Sequence, residues 1–173
     1  MGKKKNRAEI FEQLVLSHMS MLYKAAWRLT GQAEEAEDLV QQVMVKLYPK
    51  TEEMERIDQL GPWLRKVLYR EFVDGMRKKS RRPEHYLLDT PDESGIYQAE
   101  VDTPEDLVER AADWQRVRKA LDAMKAQDRT LIILHLVEGY TLAEMRDIFH
   151  AREETIKTRL RRARARLKKM LMQ

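Results

Sequence analysis

The last third of the chain, residues 124–171, constrains the fold more than any other part. It reads MKAQDRTLIILHLVEGYTLAEMRDIFHAREETIKTRLRRARARLKKML. Three helical runs follow one another, and the last is dense in Arg and Lys. Gly139 can end one run in the left-handed conformation that glycine adopts cheaply. Thr141 with Glu144 has capping-box spacing for the next. The pattern predicts a short helix over Leu142–Phe149 and a tight turn at His150, Ala151 and Arg152. From Glu153 onward, Ile156, Leu160, Ala163, Leu167 and Met170 recur at helical spacing and form one apolar face. The other faces carry Lys157, Arg159, Arg161, Arg162, Arg164, Arg166, Lys168 and Lys169. Two helices joined by a short turn, the second one basic, is the pattern of a helix-turn-helix that lies in a DNA major groove. A solvated surface helix or a coiled-coil strand is the plainer reading of the same residues.

The distribution of charge says more than its total. The 173 residues carry a net charge of only +4. Residues 80–113 hold ten Asp and Glu against three Arg, a net of −7, whereas residues 150–173 hold nine Lys and Arg against two Glu, a net of +7. A basic terminal element follows an acidic connector. At 43% hydrophobic the chain can build cores, and at 36% charged with few aromatics it suits small helical bundles with wet surfaces. The absence of cysteine excludes disulfides and thiolate metal sites. The Lys3–Lys5 run is not followed by an apolar signal core, and no apolar run is long enough to span a membrane. A soluble, cytoplasmic protein without membrane insertion is expected.

Two helical modules and a connector account for the whole chain. In the first module, Ile10, Leu14, Leu22, Ala26 and Leu29 mark an amphipathic helix ending at Thr30-Gly31. A second helix runs from Glu34 to Tyr48 and is closed by Pro49. Its first turns hold Glu34, Glu35, Glu37 and Asp38, which favour a helix N-terminus electrostatically. A third, long helix starts at Gly61-Pro62 and carries the apolar stripe Trp63, Leu64, Val67, Leu68, Phe72 and Met76. The connector contains Pro83, Pro91, Ser94 and Gly95, lacks periodicity and is acidic. Thr103-Pro104-Glu105-Asp106 then has the chemistry of a helix start. The expected fold is all-α, with two small helical domains at 8–82 and 104–173 and a linker at 83–103.

With these residues in view, the chain resembles the sigma-70 family of bacterial RNA polymerase sigma factors, in its small extracytoplasmic-function form. LYKAAWRLTGQAEEAEDLVQQVMVKLY, residues 22–48, is similar to the family's region 2.1–2.2. PWLRKVLYREFVDGMRKKSRR is similar to region 2.3–2.4. The C-terminal segment is similar to region 4, with Arg129, Glu138-Gly139 and TIKTRLRRARARL at the expected places. No single piece decides the matter, but two modules in this order and with this gap are highly specific.

The resemblance implies a division of labour. Glu35, Glu37, Asp38, Leu39, Val40 and Gln41 stand where the family docks on the coiled coil of the polymerase β′ clamp. Acids beside apolar residues offer both charge and area to a basic helical partner. Some of the same residues also belong to the core, with Leu39 expected inward or at the boundary. Residues 62–82 would handle the −10 element, with Arg65, Lys66, Tyr69, Arg70, Asp74, Arg77 and Lys78 as candidates to hold a displaced strand and an unstacked base. The loop from Thr51 to Gly61 would help choose that base, and Trp63 is read first as core. Thr155, Lys157, Thr158, Arg159, Arg161 and Arg162 would read duplex DNA at the −35 element. Arg164, Arg166, Lys168 and Lys169 lie farther along and are read as phosphate contacts or solvated side chains. The implied partners are core RNA polymerase (β′ clamp and β subunit), promoter DNA and, by family analogy, an anti-sigma factor.

Several residues depart from the family pattern. Arg70 stands where Asn is common, and Gln42 replaces a common Glu. Arg146 stands where the helix-turn-helix usually has Ala, so its side chain must snorkel outward or widen the helix crossing. His150 replaces the usual turn glycine, which requires a left-handed conformation at some cost. For the connector, with Asp89, Asp92, Glu93 and Glu100, the resemblance implies a segment threading a polymerase channel, where an acidic strand would mimic a phosphate backbone. Neither a metal nor a cofactor is expected. An enzyme is improbable, because His18, His85, His135 and His150 are scattered and neither HExxH nor a phosphate-cradling glycine loop occurs. The competing function is a stand-alone helix-turn-helix regulator that binds duplex DNA without polymerase.

Overall fold

The computed structural model describes residues 6–81 and 114–172, and among them every regular element is helical. The whole linker at 83–103 and the helix start expected at Thr103-Pro104 lie outside the described residues. The chain divides after Arg77 into two compact units.

In the first unit, α1 (Arg7–Leu16) opens with a capping box. The Ala8 N–H donates to the Asn6 side chain at 2.8 Å, and the Asn6 N–H donates to the Glu9 carboxylate at 3.1 Å. The apolar period from Ile10 to Leu29 predicted one helix, but there are two. The chain breaks at Ser17-His18, and α2 (Met19–Thr30) starts afresh. The His18 N–H bonds back to the Val15 carbonyl at 2.9 Å, closing a tighter turn than α-helical geometry makes. The break lets α1 pack on the later single turn Thr51–Met54, while α2 packs along the helix Ala33–Leu47. Gly31 ends α2 at φ 77°, with its N–H bonded to the Trp27 carbonyl at 2.8 Å.

Helix α3 (Ala33–Leu47) runs into a 3₁₀ turn, Tyr48–Lys50, where Pro49 removes a donor, and then into the single turn α4 (Thr51–Met54). The Tyr48 ring meets Phe11 of α1 edge-on at 5.3 Å between centroids, pinning this corner. Helix α5 (Leu60–Arg81) carries Pro62 in its first turn. Leu22, Leu29, Leu39, Val43, Leu64 and Leu68, from three helices, make the heart of the core.

The second unit starts with α6 (114–122) and α7 (Ala126–Ile132). The latter widens into a π-helical turn over Ile133–Val137, which nothing in the sequence announced. There the Glu138 N–H reaches the Ile133 carbonyl at 3.0 Å, and the Tyr140 N–H reaches the Leu134 carbonyl at 2.9 Å. The His135 Nδ1 donates to the Tyr140 carbonyl at 2.7 Å and braces the turn. Gly139 follows at φ 74°. Helix α8 (Leu142–Phe149) then opens on the expected capping box, with the Glu144 N–H donating to the Thr141 hydroxyl at 3.2 Å and the Thr141 N–H donating to the Glu144 carboxylate at 2.9 Å. His150 takes φ 44° and ψ 45°, the left-handed conformation its position requires, and α9 (Glu153–Leu171) follows. Leu131, Leu134, Met145, Ile148, Ile156 and Leu160 fill the core between α7, the π-turn, α8 and α9.

Candidate functional site

Three surfaces carry the residues singled out from the sequence. The first is the outer face of α3. Glu35, Glu37, Asp38 and Gln41 are exposed there. Leu39 and Val40 are not, being only 7% and 4% exposed, because they belong to the stripe with Ala36, Val43 and Leu47 that faces the core. Their role on this face is to hold the helix down. The apolar surface that α3 does offer is Val45, 76% exposed and one turn beyond Gln41. Asp38, Gln41, Gln42 and Val45, with Lys46 and with Glu71 of α5, line an open depression of about 550 Å³. Lys46 is ion-paired with Glu71, which joins α3 to α5 beside that depression. Val45 escaped the sequence reading, although its helical phase, between Val43 and Leu47 and off the core stripe, marks it as outward-facing.

The second surface is α5. Arg70, Lys78 and Lys79 are exposed, and Arg65, Lys66, Asp74 and Arg77 are part-buried. Tyr69 is wholly buried, at 0% exposure, among the core residues of the first unit. A ring buried to this extent is not available to stack on a base, which corrects its place among the contact candidates. Trp63 is half-buried at the start of the helix, so it takes part in the core without being enclosed by it. In the segment leading to α5, Thr51 is buried and its hydroxyl donates to the Tyr48 carbonyl at 2.6 Å.

The third surface is α9. Ile156, Leu160 and Ala163 are buried, and Thr155, Lys157, Thr158, Arg159, Arg161 and Arg162 are all exposed. The apolar period therefore turns these six residues outward together, as the sequence reading expected. Lys157 pairs with Glu154 one turn back at 3.7 Å. Arg146 snorkels outward from α8 with its side chain 59% exposed, beside Asp147 at 3.5 Å, while Met145 and Ile148 of the same helix are buried. Arg166 differs from its neighbours. It is ion-paired with Asp128 of α7, although its side chain stays 56% exposed. Among the described residues, no cluster of three or more His, Asp or Glu is placed to hold a metal ion, and no helix is long and apolar enough to cross a membrane.

A helix-turn-helix with a basic second helix, in one chain with a separate helical unit bearing an acidic face, agrees with what comparison with known proteins finds. The model of Sigma-70 region 2 matches residues 14–82, and that of Sigma-70, region 4 matches residues 114–167. The chain belongs to the sigma-70 family, in its extracytoplasmic-function branch. This sigma factor is similar to the ECF RNA polymerase sigma factor SigW of Bacillus subtilis, with 25% identity covering 97% of this chain and 92% of the relative. It also resembles the sigma factor RpoE solved in complex with the anti-sigma factor NepR from Bartonella quintana. That match has a TM-score of 0.63 and 29% identity, over 94% of this chain and 96% of the other. CnrH, solved in complex with the cytosolic domain of CnrY, shares the fold at 21% identity and a TM-score of 0.55, over 96% of this chain and 89% of the other. The region 2 match takes in α2 to α5, and the region 4 match takes in α6 to α8 and most of α9.

Proposed function

We propose that this sigma factor docks on the β′ clamp of core RNA polymerase through the outer face of α3, engages the −10 element with α5, and reads the −35 element with α9. Its overall role is to direct RNA polymerase to promoters. It is an initiation factor and not an enzyme. The observation that carries the assignment is the presence, in a single chain, of an acidic helix face with an apolar residue beside it and of a basic recognition helix in a second unit.

On α3, Glu35, Glu37, Asp38 and Gln41 supply charge and polarity, and Val45 supplies apolar area that a partner helix can cover. On α5, Arg65, Lys66, Arg70, Arg77 and Lys78 form the track for displaced DNA, and Asp74 gives it an acceptor. On α9, Thr155, Lys157, Thr158, Arg159, Arg161 and Arg162 meet the duplex, with Arg suited to bidentate contact with guanine. Domain limits of 8–82 and 104–173, a contact with the β subunit and a cytoplasmic location belong to the same reading. Regulation by an anti-sigma factor fits the complex with an anti-sigma factor in which RpoE was solved. A stand-alone regulator would leave the region 2 unit without a task.

The test is co-elution with sigma-free core polymerase on a sizing column. Asp38→Arg/Val45→Arg is the informative variant, because both side chains are exposed, whereas a charge at buried Leu39 would test folding instead. A stoichiometric complex with the wild type that is lost in the double variant is expected. A folded wild-type protein that forms no complex would overturn the reading and bring the stand-alone regulator forward.

A further inference from the structure

We infer that Asp128 and Arg166 form a clasp that fixes the direction of α9, making Arg166 a positioning residue for promoter recognition and not a DNA contact. The inference rests on the reading of α9 as the −35 helix. Arg166 lies about 20 Å along the axis from Glu153, at the helical rise of 1.5 Å per residue. Its guanidinium meets the carboxylate of Asp128 in the first turn of α7, and the Asp128 side chain is only 16% exposed. The Arg166 side chain is 56% exposed, so solvent screens the pair from one side, while the carboxylate that receives it is fixed in place by burial.

The carboxyl-terminal half of α9 is tied down elsewhere too. Arg116 of α6 donates to the Leu171 carbonyl at 3.3 Å, at the very end of the helix. Helices α6 and α7 are joined by Arg129 and Asp122 at 3.9 Å, with the Arg129 side chain also only 16% exposed. The far end of α9 is therefore anchored, while its first turns present their cations outward. A tilt of about 10° at the anchored end would move the first turn by roughly 3.5 Å, more than base-edge hydrogen bonds can absorb. The angle held at Arg166 is thus transmitted to the residues that read sequence.

The two roles for Arg166 are separated by salt. A phosphate contact contributes about 0.9 to the slope of log affinity against log salt concentration, so its removal flattens that slope. A clasp contributes nothing to the slope, and its removal loosens the angle and erodes discrimination.

The experiment uses the full chain reconstituted with core polymerase. A duplex pool randomised across the −35 window is enriched on the wild-type complex, and affinity is measured for the enriched and the unenriched pools over a salt series. The variants are Arg166→Met, Asp128→Asn, their combination, and Arg166→Lys as the conservative control. Each neutral variant is expected to lower the ratio of enriched to unenriched affinity at least fivefold, with the salt slope unchanged. The double variant should be no worse than either single one, because both break the same pair, and Arg166→Lys should stay near the wild type. A slope that falls by nearly one in Arg166→Met would make Arg166 a backbone contact and overturn the clasp. A proportional loss on both pools, or an unchanged ratio, would reduce the pair to a structural tie and overturn it equally. A wild-type complex that enriches no sequence would refute the promoter reading itself, and the clasp with it.

Discussion

Truncating Val45 to alanine tests whether the docking surface lies where the exposed side chains of α3 place it. Val45→Ala removes two methyl groups, worth about 0.8 kcal/mol each when fully taken out of water. Because Val45 is 76% exposed, about three quarters of that amount is still available to a partner. If docking covers the residue, the loss is about 1.2 kcal/mol, or roughly eightfold in Kd. Folding should not suffer, since little packing is lost and alanine is the better helix former. The assay is a competition titration in which unlabelled variants displace fluorescently labelled wild-type protein from core polymerase, with thermal melting of each variant alongside. Leu39→Ala is the contrasting perturbation. Leu39 is buried, so its truncation should cost about 2–5 kcal/mol of stability and lower the melting temperature sharply. A Val45→Ala protein that binds within twofold of the wild type, while Asp38→Arg is weakened, would show that the partner does not extend this far along α3.

Three further outcomes follow from the second unit. His150→Gly should leave the fold intact and stabilise it by about 0.5–1 kcal/mol, since relief of the left-handed backbone outweighs the entropy that glycine loses. For a small unit this is a rise of about 2–8 °C in calorimetry, and a fall would refute the argument. Thr141→Ala removes the acceptor of the α8 capping box and should cost about 1 kcal/mol, with Thr141→Ser close to the wild type in the same melt. Arg161→Ala, at an exposed position on α9, should flatten the salt dependence of promoter binding by about 0.9 if it holds a phosphate, and should instead relax preference at one base pair if it reads guanine.

Local chemistry was legible wherever one residue dictates one conformation. Gly31, Gly139, the Thr141–Glu144 box and the left-handed His150 are each determined by a few neighbouring atoms, and each is found as expected. The outward set on α9 was legible for a related reason, because a clean apolar period leaves the cations only one side to occupy. The break between α1 and α2 was not legible. Ile10 and Leu29 fit a single helical period, and only packing of α1 on α4 separates them. Tyr69 was misread because an aromatic ring in a basic stretch suits a base as well as it suits a core. Helical phase, which aligns it with Val73, favoured the core. Arg166 was beyond reach, since its partner Asp128 lies 38 positions earlier and one charge among many gives no sign of being engaged.

The π-turn at Ile133–Val137 leaves slack in the length of the chain. A turn of this kind holds one residue more than an α-turn. That surplus residue is absorbed at the surface, where Leu136 and Val137 are about half exposed, while Ile133 and Leu134 stay in the core. A sequence shorter by one residue here can close as an ordinary α-turn and still deliver Gly139 and the α8 cap to the same place. The join between the first helices of region 4 and its helix-turn-helix pair is therefore a point at which the length of the polypeptide can drift by one residue without disturbing the fold on either side.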